Sequence, residues 1–332
     1  MTDSLDFSPT AANGADHQGA VPATPLVIVT GKGGVGRSSA ATAIAVALAE
    51  RGGRVALVHP VEAKPVRPPA SAPPGLVVVP LDRKKALSNY LGDQLPGPFA
   101  AGLRASRAFQ LITAATPGLA ELLTIGELRR MTEGAYDHLV FDAPATGHLL
   151  ALLDAPGRFE RAAAVGPIAA RARQLGEWIA DPAITATVTV TTGDSLAVSE
   201  LLDLITALES RLGHGPSLVI ANRLAPPSPP AAELALLAER EGDAVLADAV
   251  LALEHLATRA RSERAQLGRV TRQVGLQPIR AYEQPGEGVR SVLAALAGEG
   301  PVLSDEPGIS AQDRRRAERR TRERRTEHGE AA

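Results

Sequence analysis

The chain has 332 residues, with 35 lysines and arginines, 37 acidic residues and no cysteine. The formal net charge of -2 argues against a general affinity for nucleic acid, and the absence of cysteine excludes an iron–sulfur cluster and a thiolate zinc site. Hydrophobic residues make up 45% of the chain, which is enough for one large α/β domain or two small ones.

The N-terminal segment differs in composition from the rest of the chain. Residues 1–24 are rich in Ala, Gly, Asp, Ser, Thr and Pro, which predicts a disordered tail rather than a signal peptide. No run of about 18 apolar residues occurs in the sequence. We therefore expect a cytoplasmic protein without a membrane span.

A glycine-rich loop follows the first predicted strand. Residues 26–30 are apolar and β-branched, which predicts a buried strand, and residues 39–52 predict a helix that ends at Gly52. The loop consists of Gly31, Lys32, Gly33, Gly34, Val35, Gly36, Arg37, Ser38 and Ser39. It matches the phosphate-loop pattern GxxxxGK(S/T) except at Arg37. Free N–H groups and the helix dipole would favour an anion there, although a glycine-rich turn without a ligand is the alternative.

Strands and helices alternate along most of the chain. Further strands are predicted at 54–59, 76–80, 138–142, 184–191, 217–221 and 276–280, and helices separate most of them, for example at 195–212 and 244–267. This alternation predicts an α/β fold with a doubly wound, mainly parallel sheet and a ligand site at the carboxyl ends of the strands. Two helical insertions, at about 82–134 and 156–182, interrupt the pattern.

Two polar residues end predicted strands beside this expected site. Asp142 ends the strand 138–142, and an aspartate there can hold Mg²⁺ directly or through water, although many such residues only cap a helix. Asn222 follows the strand 217–221, and its carboxamide can donate and accept hydrogen bonds at once. Taken alone, Asn222 is more typical of a turn.

Two motifs resemble those of a known family. The loop KGGVGRS, with Lys32 after its first glycine, resembles the deviant Walker A loop of the ParA, MinD, nitrogenase iron-protein and arsenite-pump ATPases. The string DAPATGH, which begins at Asp142, resembles the switch II motif of the ArsA-like family within that group. That family includes the arsenite-pump ATPase and the ATPase that guides tail-anchored proteins. The resemblance covers about residues 25–300.

The resemblance implies ATP and Mg²⁺ as cofactors and a dimer as the working form. Backbone groups of residues 31–39 would bind the nucleotide, and Lys32 would reach the phosphates held by the partner subunit. Ser38 and Asp142 would serve the Mg²⁺, and Asn222 would recognise adenine.

Two departures from the family affect catalysis. Arg37 replaces the lysine that bridges the phosphates, and its longer, planar guanidinium is not a conservative exchange. His59 stands where the switch I motif of the family has an aspartate, and Glu62 is a substitute three residues further on. Lys32, Arg37 and Glu62 are therefore the candidate catalytic residues. Nucleotide binding is better supported than hydrolysis.

Three functions remain open at this point. The first is an ATP-binding dimeric switch or weak ATPase, as a homodimer or with a related subunit. The second is a hydrolysis-deficient scaffold subunit of a heterodimer with an active ArsA-like ATPase. A ParA- or MinD-like positioning protein is third, disfavoured by DAPATGH and by the balanced charge. Without cysteine, the arsenite site of the pump ATPase and the zinc clasp of some targeting dimers cannot be carried over.

Two regions are candidates for contact with a partner. In the resembled family the helical insertions meet a client or a membrane partner, and the alternative is that they pack on each other and on the sheet. Residues 301–332 form a charged, arginine-rich tail. This tail could contact nucleic acid, anionic lipid or an acidic partner, or remain a solvated mixed-charge segment.

Overall fold

The computed structural model describes residues 21–61, 72–82, 86, 118–163, 166–227, 244–284 and 288–298. Its strands are β1 (Leu26–Gly31), β2 (Val55–Pro60), β3 (Leu76–Leu81), β4 (His138–Asp142), β5 (Thr185–Thr191), β6 (Leu218–Leu224) and β7 (Ile279–Tyr282). Its helices are α1 (Arg37–Glu50), α2 (Leu119–Thr132), α3 (Thr146–Ala163), α4 (Pro167–Ala180), α5 (Ser195–Leu212), α6 (Ala244–Val274) and α7 (Gly288–Leu296).

The strands form a single sheet in the order β3-β2-β4-β1-β5-β6-β7, and every neighbouring pair is parallel. Helices pack on both faces, so the prediction of a doubly wound parallel sheet is confirmed. Strand β1 lies at the centre, between β4 and β5. The glycine-rich loop that follows β1 therefore opens at the carboxyl edge of the sheet, between the ends of these two strands.

One face of the sheet is covered by α1 and α7. Alternate residues of the central strands, such as Val27, Val29 and Val188, pack there against Ile44 of α1 and Val292 of α7. All six residues of β1 are buried, because helices cover both faces. Such double burial explains why the strands appear in the sequence as continuous apolar runs.

The opposite face is covered by helices that include the described parts of the two predicted insertions. Leu128 of α2 and Leu149 of α3 pack against the sheet residues Leu26, Ile28 and Phe141. Trp178 of α4 lies partly buried against the same cluster. The apolar faces of these helices thus contribute to the core, as the packing alternative predicts.

Other predictions fall partly or wholly outside the described residues. Helix α3 begins at Thr146 and continues through Pro156, so the predicted start of the second insertion lies inside a helix. The described part of the chain leaves out residues 1–20, Glu62, most of residues 83–117 and residues 299–332. Within the part that the structure describes, none of the helices combines the length and the apolar character that a bilayer span requires.

Candidate functional site

The glycine-rich loop is built by close backbone contacts. A Cβ atom at Gly31 would lie 2.2 Å from the backbone oxygen of Val190 on β5, so only glycine fits where β1 ends. At the other end of the loop, Gly36 has φ 94° and immediately precedes α1 without providing a side-chain cap. The first N–H groups of α1 therefore face the loop, an arrangement that favours an anion.

A hydroxyl and a carboxylate meet at the base of this loop. Ser38 Oγ donates to Asp142 Oδ2 over 2.6 Å. Asp142 is buried, and burial raises the pKa of its carboxyl group, against the Ser38 hydrogen bond and the charges of Arg37 and His59. A cation beside this carboxylate would offset the cost of burying it. The structure therefore brings Arg37, Ser38, His59 and Asp142 into one neighbourhood.

The Ser38 hydroxyl and the Asp142 carboxylate suit a Mg²⁺ site that is shared with a ligand, rather than a metal site built from protein groups alone. No cluster of three or more His, Cys, Asp or Glu side chains with metal-binding geometry occurs among the described residues. Mg²⁺ commonly keeps several waters and takes few protein ligands beside substrate phosphates. The donor set of Ser38 and Asp142 therefore fits a magnesium ion that is bound together with a phosphorylated ligand.

The arginine in the loop contacts the DAPATGH motif. Arg37 Nη1 donates to the backbone oxygen of Ala143 over 2.5 Å. Burial lowers the pKa of the Arg37 guanidinium, an effect that the Asp142 carboxylate opposes. The side chain stays cationic at neutral pH. It joins the loop after β1 to the segment after β4.

The end of β2 provides an imidazole rather than a carboxylate. His59 is buried, and its Nδ1 lies 3.1 Å from the backbone oxygen of Pro60. It lies close enough to Asp142 to influence the pKa of that carboxyl group. The position where the resembled family has an aspartate therefore holds a group of different shape and charge.

Lys32 is held by an acidic residue of the same chain. Its Nζ lies 2.8 Å from Glu200 Oε1 on α5. Asp194, at the start of α5, lies nearby: hydrogen bonds from Thr192 and from the N–H of Ala197 lower its pKa, with a smaller contribution from Lys32. The structure thus connects Lys32 of the loop to the N-terminal half of α5.

The end of β6 contacts the loop from the other side. Asn222 is buried, and its Nδ2 donates to the backbone oxygen of Val35 over 2.9 Å. Arg223 Nη1 donates to the backbone oxygen of Gly34 over 2.9 Å. Arg223 was not among the site residues predicted from the sequence. A cation directly after a candidate site residue was the available signal.

Known proteins are similar to this chain over part of its length. The model of the anion-transporting ATPase family matches residues 24–64 and 76–165. An arsenical pump-driving ATPase of Acidiphilium multivorum is 32% identical over 182 residues, which are 46% of this chain and 30% of that protein. ATPase BagA of Mycobacterium tuberculosis is 31% identical over 244 residues, 66% of this chain and 71% of that protein.

A plant protein shows a weaker similarity. ATPase GET3C of Arabidopsis thaliana is 27% identical over 183 residues, which are 46% of this chain and 47% of that protein. The match to the arsenical pump-driving ATPases spans only 30% of their length. Similarity to these ATPases is therefore similarity to one part of a larger protein.

Proposed function

The chain belongs to the anion-transporting ATPase family, and from this premise we propose that it binds Mg·ATP and acts as a dimeric switch with weak ATPase activity. The observation that carries the proposal is the 2.6 Å hydrogen bond between Ser38 and Asp142 below a phosphate-binding loop. In phosphate-loop enzymes a serine or threonine of the loop and a strand-end aspartate hold Mg²⁺. Relatives that are named ATPases support a nucleotide as the ligand.

Each group of the site has a role in this proposal. Backbone N–H groups of residues 33–38 would surround the phosphates, and Ser38 would contact Mg²⁺, with Asp142 acting directly or through water. The magnesium ion would neutralise phosphate charge. Asn222 uses its N–H to hold Val35, so its Oδ1 would be the atom that recognises adenine.

We expect weak hydrolysis because Arg37 and His59 depart from the motifs of the family. The Arg37 guanidinium donates to Ala143, so it is drawn towards the segment after β4 rather than standing as a compact charge under the phosphates. His59 has no carboxylate with which to orient water. Nucleotide binding does not depend on either group, because the loop backbone supplies the main anion contacts.

Calorimetric titration with ATP and with ADP, each with and without Mg²⁺, tests the binding proposal. Phosphate release is then followed under the same conditions. The expected result is binding of both nucleotides and slow turnover. A folded protein that binds neither nucleotide would refute the proposal.

Replacing Ser38 should remove the contribution of Mg²⁺ to binding. Ser38→Ala deletes the hydroxyl that would contact the ion and leaves the loop backbone intact, so the affinity for ATP should become independent of added Mg²⁺. Titration with Mg²⁺ or with EDTA measures this dependence. Ser217→Ala, an exposed serine at the opposite end of β6, is the control. A Ser38→Ala protein that responds to Mg²⁺ as the wild type does would contradict the assigned role.

A hydrolysis-deficient scaffold is the second candidate function. The contact between Arg37 and Ala143 favours it, because a movable switch segment would here be fastened to the loop. The two candidates differ when the chain is mixed with an ArsA-like protein that has an intact GK(S/T) loop. A scaffold binds that partner and alters its phosphate release, whereas an independent switch forms its own nucleotide-dependent dimer.

Lys32 is the candidate for contact across the dimer. In the isolated chain its Nζ pairs with Glu200, and both side chains are partly exposed, with 37% and 43% of their surface accessible. Exposed ion pairs of this kind contribute little to stability, so exchange for a phosphate of the partner subunit is energetically feasible. Leu196, one turn before Glu200, is 60% exposed and adds apolar surface beside the pair.

Lys32→Ala should weaken an ATP-bound dimer at least about tenfold, because removing one member of a buried interfacial charge contact costs about 2–5 kcal/mol. Glu200→Gln should leave the dimer intact, since it releases Lys32. Sedimentation with and without a non-hydrolysable ATP analogue measures both effects. Arg129→Ala, on α2, is the control. A monomer under all conditions, or a dimer indifferent to nucleotide and to Lys32, would refute the dimeric switch.

The remaining parts of the proposal concern organisation and location. We propose that residues 25–300 form one nucleotide-binding domain between two tails, and that the protein works in the cytoplasm. The helices α2, α3 and α4 use apolar side chains in the core, which reduces the surface that they could offer to an apolar client.

A further inference from the structure

Strand β6 contains an irregularity where it reaches the loop. Its pairing with β7 shifts register between Ala221 and Leu224, so two residues of β6 oppose one of β7. This is a β-bulge, and bulges redirect side chains. The two residues of β6 that lie within the bulge are Asn222 and Arg223. Arg223 has φ 55° and is the one non-glycine residue with positive φ in the described ranges.

The bulge brings two consecutive side chains to the same loop. In a regular strand neighbouring side chains point to opposite faces. Here Asn222 Nδ2 donates to Val35 O, and Arg223 Nη1 donates to Gly34 O, each over 2.9 Å. Two adjacent carbonyl groups of the loop are therefore held from one side.

Holding these carbonyl groups fixes the direction of two N–H groups. A trans peptide unit is planar, and its C=O and N–H point in opposite directions. The oxygen of Gly34 shares a peptide unit with the N–H of Val35, and the oxygen of Val35 shares one with the N–H of Gly36. Donors on the β6 side thus turn both N–H groups away from β6, towards the space that the loop surrounds.

A second arginine holds the bulge in place. Arg259 of α6 donates through Nη2 to Arg223 O over 2.7 Å, through Nε to Glu263 Oε1 over 2.8 Å and through Nη1 to Glu283 Oε2 over 3.0 Å. Glu263 is buried, and its other oxygen accepts from the N–H of Ala225 over 2.8 Å. The chain on both sides of Leu224 is therefore attached to α6.

We propose that Arg223, supported by Arg259 and Glu263, is a positioning residue that acts beside Asn222: Arg223 orients the N–H group of Val35 for phosphate, and Asn222 orients that of Gly36. The proposal rests on the proposed nucleotide site and extends it to residues outside the loop. These N–H groups belong to the part of a phosphate loop that surrounds the α- and β-phosphates. Loss of Arg223 should therefore weaken the binding of ATP and of ADP to a similar extent.

Arg223→Gly separates positioning from folding. Glycine adopts a positive φ without strain, so the variant should fold at least as stably as the wild type, yet it lacks the donor to Gly34. We expect ATP and ADP affinity to fall about tenfold by calorimetry, the upper range for loss of one hydrogen bond. Arg223→Lys, which keeps a cationic donor, should restore part of the loss. Arg261→Ala, another arginine of α6, is the control.

A nucleotide-independent measurement makes the test decisive. Amide relaxation and hydrogen exchange of Val35 and Gly36 in the free protein should show greater motion in Arg223→Gly than in the wild type. Unchanged loop amides, or unchanged ATP and ADP affinity in a folded Arg223→Gly protein, would overturn the positioning role. If the wild type binds no nucleotide while the loop amides still respond to Arg223→Gly, the proposed function fails and the positioning role stands.

Discussion

Gly36→Val should abolish measurable ATP binding. Gly36 has φ 94°, and a Cβ atom there would lie 2.2 Å from Asn222 Nδ2. Positive φ costs an ordinary residue about 1–2 kcal/mol, and a β-branched residue is among the least tolerant. Asn222 cannot yield freely, because it is buried and bonded to Val35 O. The substitution would therefore distort the N–H groups that face the phosphates and would also break their support from β6.

Calorimetric titration of ATP measures the effect, and circular dichroism verifies the fold. Gly52→Val is a matched control, because Gly52 has φ 89° and a Cβ atom added there would meet no atom within 4 Å. It should lower stability through the same backbone strain while ATP affinity is retained. Gly36→Ala, with a smaller side chain, should also bind ATP poorly. A folded Gly36→Val protein with unchanged ATP affinity would end the phosphate-loop interpretation.

The central strands of the sheet were predictable because they are buried on both faces. Residues such as 26–29 and 139–141 form continuous apolar runs, and alternation with helices implies parallel pairing. The predicted strand bounds were wrong where polar residues form part of a strand. We expected β6 to end at Ala221, but it continues to Leu224, because the Asn-Arg pair that indicates a turn lies in a bulge. The last strand begins only at Ile279, after Pro278.

The site was predictable only where its residues are neighbours in a motif. The loop at residues 31–39 and Asp142 follow local patterns of strand, glycine and helix. The contacts that determine the chemistry of these residues do not follow local sequence patterns. Arg37 meets Ala143 across 106 positions, Lys32 meets Glu200 across 168 and Asn222 meets Val35 across 187. Such contacts exist only because the sheet order brings the carboxyl ends of distant strands together.

The support from α6 illustrates the same limit. Arg259 and Glu263 stand four residues apart, a spacing that predicts an exposed ion pair on a helix. In the structure Glu263 is buried and accepts the N–H of Ala225 as well. Because Glu263 is buried, the pair attaches α6 to the chain after β6. The local sequence does not distinguish such a buried pair from an exposed one.

The double variant Arg37→Lys, His59→Asp should hydrolyse ATP about 10²-fold faster than the wild type or better. Positioned acid–base groups typically contribute about 10²–10⁴-fold to a rate. Lysine is shorter than arginine and lacks the fork that reaches Ala143 O over 2.5 Å, so the DAPATGH segment would be released and a compact charge would stand in the loop. Aspartate at position 59 would supply a carboxylate to orient water.

The gain should require both changes and Mg²⁺. A carboxylate at position 59 would repel Asp142, whose pKa is already raised by burial, and only a bound cation relieves that repulsion. Phosphate release by each single variant and by the double variant, with and without Mg²⁺, measures this dependence. If the wild type already hydrolyses ATP at about 1 s⁻¹, which is within the usual range of enzymes, the proposal of weak hydrolysis is wrong. Glu62 would then be the first residue to replace, because it is the nearest carboxylate in sequence to His59, and Glu62→Gln should abolish that activity.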